Sequence, residues 1–141
     1  EISRSDWSSD VCSSDLAPKY LYFCTGLKNV IMVIDFDKIT EEHIEGFKGG
    51  EGKLDTRAYV DNKARIMYST LRPGARSGEH LHSGTFEVMY VISGELTAYC
   101  DGVKEIVRVG QMHYCPEGHN HWFENNTDHD VVYLAIVPTL G

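Results

Sequence analysis

Two stretches of this chain place glycine, proline, histidine and acid at fixed offsets, and that punctuation limits the fold more than any average property does. The first reads Gly74-x5-His80-x-His82-x4-Glu87-x6-Gly94, the second Gly110-x5-Pro116-x-Gly118-x2-His121-x3-Asn125. Residues two apart on a strand point to one face, so an extended His80-Leu81-His82 aims both imidazoles at the same point. Glu87 lies an odd number of positions beyond His82 and would face away on an unbroken strand. A turn must re-aim it. Ser83-Gly84-Thr85 supplies one, because glycine reaches backbone angles closed to other residues and Ser and Thr favour turns. Pro116-Glu117-Gly118 pairs a fixed φ with a permissive one, which predicts a tight reversal before His121.

The two stretches resemble the paired signature motifs of the cupin superfamily, matched at every defining position. The resemblance implies an all-β cupin barrel, a jelly roll or double-stranded β-helix, holding one divalent metal ion on His80, His82, Glu87 and His121. Three imidazoles and a carboxylate suit Mn, Fe, Co, Ni, Cu or Zn better than Ca or Mg, which prefer oxygen shells. Four protein ligands on an ion that prefers six would leave positions for a substrate, unlike a closed structural zinc site. The bland alternative is a scatter of surface histidines, and the spacing argues against it.

Away from these motifs the chain is that of one globular domain. Its 141 residues carry a net charge of −8 with no basic patch, which argues against nucleic acid or an anionic membrane as partner. The longest apolar run lies between Asn29 and Asp35, far too short for a membrane span. Cys12, Cys24, Cys100 and Cys115 form no C-x-x-C pair and read as free thiols in a reducing cytoplasm. Residues 1–16 resemble translated sequencing adaptor, with a recurring Ser-Ser-Asp unit, and residues 17–31 read as an upstream extension. Met32 is the expected native start, and 32–141 the single cupin domain. The rival reading makes Lys19 to Val33 a genuine N-terminal strand.

From Met32 the pattern predicts about ten strands. They are expected at Val33–Phe36, Leu54–Val60, Ala64–Leu71, His80–His82, Glu87–Ile92, Glu95–Cys100, Glu105–Val109, Gln111–Cys115, Trp122–Asn125 and Asp130–Val137, with a hairpin at Asp61-Asn62. Thr40-Glu-Glu-His-Ile offers an N-cap with acids in the first turn, which predicts one short helix.

Parity from the implied ligands gives the candidate pocket: Met89 and Val91 share a face with Glu87, and Phe123 shares one with His121. Arg65 and Met67 join them if the favoured face of their strand is the inner one, and Cys115 does if it points inward. Arg65 would then meet a substrate carboxylate through its fork of donors. Glu87 and His113 are the candidate acid–base groups, His113 because an inward ring would titrate near neutral pH. Each has a plain alternative as core filling or a solvated surface group.

The fold does not name the reaction. Cupin lyases acting on dimethylsulfoniopropionate carry a catalytic tyrosine two residues after the glutamate ligand, where this chain has Met89. Bicupin oxalate decarboxylases need a second barrel, and sugar-nucleotide epimerases of this fold lack the metal quartet. The leading expectation is a small metalloenzyme, a dioxygenase or a non-redox lyase or isomerase, acting on an oxygen-bearing small molecule. The alternative is a metal-dependent binding or sensing module without turnover. A homodimer is the expected assembly.

Overall fold

A computed structural model describes residues 33–141. The adaptor-like segment, the proposed start at Met32 and the rival strand up to residue 32 lie outside those residues. Ten strands follow one another: β1 Glu42–Glu45, β2 Lys53–Val60, β3 Ala64–Leu71, β4 His80–Leu81, β5 Glu87–Ser93, β6 Glu95–Cys100, β7 Val103–Arg108, β8 Met112–Cys115, β9 Asn120–Glu124 and β10 Val131–Pro138. They form two antiparallel sheets, of order β1-β2-β3-β10-β5-β8 and β4-β9-β6-β7. This is the jelly roll that the motifs imply. Among the described residues no helix is long and apolar enough to cross a membrane.

The strands follow the alternation of the sequence. In β10 the buried residues are Val131, Tyr133 and Ala135, with half-buried neighbours between them. The inner faces of the two sheets meet in one cluster that includes Leu54, Leu71, Met89, Val91, Leu96, Val107, Phe123 and Tyr133. Each large apolar side chain fully buried there contributes roughly 1.5–3 kcal/mol. The β2–β3 hairpin turns where expected: Asp61 Oδ1 accepts from the backbone N–H groups of Lys63 and Ala64, both at 2.8 Å.

Two expectations at the N-terminal side fail. The short helix at Thr40-Ile44 is instead β1, paired through Ile44↔Leu54 and Glu42↔Thr56 with β2. Its Glu-His-Ile-Glu reading alternates, so as a strand it turns Ile44 onto the core, which outweighs a local capping signal. The strand expected at Val33–Phe36 is absent. Asp35 caps a 3-10 turn at Phe36–Lys38 by accepting from the Asp37 N–H at 3.2 Å.

One backbone contact builds the wall of the site. A Cβ on Gly78 would collide with the Lys48 carbonyl oxygen, and one on Gly50 with the Arg76 carbonyl. Only glycine allows these two segments to touch main chain to main chain. Gly78 N–H donates to Phe47 O at 2.9 Å, so the loop after β1 is fastened to the residues just before His80.

Candidate metal centre

His80 lies on β4 directly opposite His121 on β9, and His82 follows at the end of the same short strand. The segment 82–86 is pinned: His82 N–H donates to His119 O at 3.1 Å, Gly118 N–H to His82 O at 2.7 Å, and Gly84 N–H to Glu117 Oε1 at 3.0 Å. Gly84 adopts a φ of 68°, and this turn brings Glu87, the first residue of β5, back to face the histidines. The donor atoms of His80, His82, Glu87 and His121 all lie within 4.8 Å of one another.

The geometry converges on one point. His121 Nε2 lies 3.0 Å from His80 Nε2, 3.1 Å from His82 Nε2 and 2.9 Å from Glu87 Oε2. His82 Nε2 lies 3.2 Å from the same carboxylate oxygen. Donors held about 2.1 Å from one ion at right angles are about 3.0 Å apart, so the four fit a transition-metal ion. The far nitrogens are also engaged. His80 Nδ1 donates to Gly78 O at 2.9 Å, and because a carbonyl only accepts, this leaves the His80 Nε2 lone pair facing the cluster. His82 Nδ1 lies 2.9 Å from Thr85 Oγ1, and His121 Nδ1 lies 3.1 Å from His113 Nε2.

Burial disfavours charge on Glu87, yet hydrogen bonds from His121 and His82 outweigh it and hold the carboxyl down to about 2. Those bonds require protons on the Nε2 atoms that an ion would use. Protons and metal therefore compete for one set of lone pairs. On His80 burial lowers the pKa, against the opposing pull of the Gly78 carbonyl.

His80, His82 and Glu87 line a cavity of about 380 Å³, with the fully buried His121 just beneath it, and its wall includes Phe47, Lys48, Arg65, Met67, Val137 and Thr139. The structure thus brings Arg65 and Met67 to the site, Arg65 exposed at the rim. Met89, Val91, Cys115 and Phe123 are all at most 1% exposed, and none lines this cavity. They point inward as parity requires, but at a depth where the barrel is filled. Burial pushes the Cys115 thiol up to about 12, so it is a packed, unreactive group. His113 also fails to reach the cavity. It is buried behind His121, its ring stacked at 5.3 Å and 9°. Phe47 and Lys48 were missed, for a loop fastened by remote glycines leaves no local pattern.

A jelly roll with three imidazoles and one carboxylate gathered at one end is the architecture of metal-site cupins. The cupin-domain family model matches residues 67–137, and the chain belongs to that family. An oxalate-binding protein of Thermotoga maritima is 30% identical over 112 residues, 75% of this chain and 93% of that protein. The crystal structure of a "predicted oxalate decarboxylase" from Thermotoga maritima superposes with a TM-score of 0.72 at 30% identity, covering 77% of this chain and all of that one. An RmlC-like cupin from Shewanella frigidimarina gives 0.65 at 18% identity, covering 77% and 91% of the two chains, which speaks for the fold alone.

Proposed function

We propose that this cupin captures a small carboxylate-bearing molecule at one divalent transition metal ion, Mn, Fe, Co, Ni or Zn, held by His80, His82, Glu87 and His121. The observation that carries the reading is the convergence of three Nε2 atoms and one carboxylate oxygen beside a cavity that His80, His82 and Glu87 line, with Arg65 and Lys48 in its wall. A bound divalent ion supplies a Lewis-acidic anchor for the carboxylate oxygens. Arg65 and Lys48 supply the remaining positive charge, Arg65 through paired donors. Phe47, Met67 and Val137 exclude water and limit the ligand to a small one. The oxalate-binding relative makes oxalate the first compound to try.

Binding without turnover is the reading the site favours, since His113 stands behind a ligand and Glu87 is itself one of the four. The enzymatic alternative, a dioxygenase or a non-redox lyase or isomerase, rests on the cavity beside the metal donors. Metal analysis followed by calorimetric titration of oxalate and other small carboxylates into the Mn- and Co-loaded protein, with oxygen uptake and product formation followed, separates these. Expected are one ion per chain and micromolar carboxylate binding; no metal dependence of ligand binding would refute the proposal, and turnover would select the enzyme.

A homodimer through the outer face of the six-stranded sheet fits the register there. Tyr68, Leu134, Tyr90 and Met112 align across four strands, and Tyr68, Tyr90 and Met112 are exposed. The net charge of −8 supports neither nucleic acid nor an anionic membrane as partner, and a cytoplasmic setting suits the free Cys100 and Cys115.

A further inference from the structure

Behind His121 runs a chain of hydrogen bonds that ends at the surface. His113 Nε2 lies 3.1 Å from His121 Nδ1, and His113 Nδ1 lies 3.1 Å from Glu105 Oε2. His113 sits on β8 and Glu105 on β7, so the chain crosses from one sheet to the other. We propose that Glu105 and His113 fix the tautomer of His121, keeping a proton on its Nδ1 and turning its Nε2 lone pair into the metal centre. The inference rests on the metal-site reading above and makes His113 a positioning residue for ion capture.

The direction of the chain follows from what each group can do. The Glu105 side chain is half exposed, and as a carboxylate it only accepts, so His113 Nδ1 carries a proton. The His113 ring is fully buried, which disfavours the imidazolium. A neutral ring with its proton on Nδ1 leaves Nε2 as an acceptor. Its neighbour there is His121 Nδ1, which must then donate. His121 Nε2 is left facing Glu87 Oε2 at 2.9 Å, His80 Nε2 at 3.0 Å and His82 Nε2 at 3.1 Å, where any proton it lends to Glu87 is the one an incoming ion displaces while Nδ1 keeps its own. The reverse direction would require a doubly protonated His113 in a buried position. With His121 protonated on Nε2 alone and His113 neutral, two lone pairs would face each other out of reach of water, which burial penalises.

The other two imidazoles are oriented differently, by a backbone carbonyl for His80 and a hydroxyl for His82. Of the three, His121 is the one whose Nδ1 is wired to a carboxylate. The negative end of that wire also raises the basicity of the His121 lone pair.

Two measurements test this. In metal-free protein near pH 7, nitrogen chemical shifts of the ring atoms should show His113 Nε2 unprotonated and His121 Nδ1 protonated. A protonated His113 Nε2 would overturn the proposal. Competition against a chelator for Co(II), read from the visible spectrum of the bound ion, should show His113→Phe weakening affinity 10–100-fold, with His113→Gln, which keeps an acceptor, recovering part of it. Unchanged Co(II) affinity in a folded His113→Phe protein would equally sink the idea. Should that variant fail to fold, the wild-type nitrogen shifts decide alone. A wild-type protein that binds no Co(II) refutes the metal-site reading, while the nitrogen shifts still judge the tautomer.

Discussion

Glu87 and Asp55 are both buried carboxylates held below their ordinary pKa, and they are arranged for opposite ends. Asp55, 2% exposed on the outer side of the six-stranded sheet, accepts from Arg72 Nε at 2.7 Å and pairs with His43 Nδ1 at 2.5 Å. Arg72 is also bonded to Asp130 at 2.8 Å. Its guanidinium is always charged and only donates, so the network is complete as it stands. Glu87, 6% exposed, meets imidazoles that can either donate or accept, on the floor of a cavity. Burial and a shifted pKa are thus common to a fastener and a binding group. What separates them is the permanently charged donor: Arg72 holds Asp55 whatever the state of His43, whereas both hydrogen-bonding partners of Glu87 are imidazoles that can give up their protons.

The largest effect expected from this contrast is on metal capture. His82→Ala and Glu87→Gln should each take metal content from one ion per chain to a trace, a loss beyond the roughly 100-fold that an outer partner costs. The melting temperature of the metal-free protein should change little. Stoichiometric metal in either variant would erase the distinction. Asp55→Ala should do the reverse, leaving metal content intact while destabilising the fold by about 2 kcal/mol, less than for a fully buried pair because Arg72 can rehydrate. Burial raises the pKa of Asp55, but hydrogen bonds from His43 and Arg72 outweigh this and leave it lowered. Its contribution should therefore be complete above the unfolded value near 3.8 and vanish as pH falls through the lower folded value. Denaturant titrations of wild type and Asp55→Asn across pH 2–6 measure this, and a difference that persists at the acid end would contradict it. The smallest effect belongs to the rim: Arg65→Ala should weaken carboxylate binding about tenfold with metal content unchanged. Equal affinity in calorimetry would remove Arg65 from the site.

Much of this arrangement is legible in the chain. The turn at Ser83-Gly84-Thr85 and the shared face of His80 and His82 follow from spacing, because period two and turn chemistry are local, whereas the joining of His121 to them is what the resemblance to cupins implies. Strand β1 was misread since Thr40 and two glutamates imitate a helix start, whereas its conformation is decided by β2, a distant partner. Parity placed Met89, Val91 and Phe123 inside but says nothing of height along the barrel, so core and cavity wall looked alike. The position of His113 needed the pairing Met89↔His113 across β5 and β8, which puts both on the inner face. The Gly78–Lys48 contact joins positions thirty residues apart and has no periodic trace.

The four residues proposed to hold the metal are divided between the sheets. His80 and His121 lie on β4 and β9 of the smaller one, whereas Glu87 begins β5 of the larger. An ion gripped by all four would be a suture across the open end of the barrel, so capturing it and closing that end are one thermodynamic event. Chelation should then be felt first as a loosening between β4 and β5, at the mouth through which a ligand must enter.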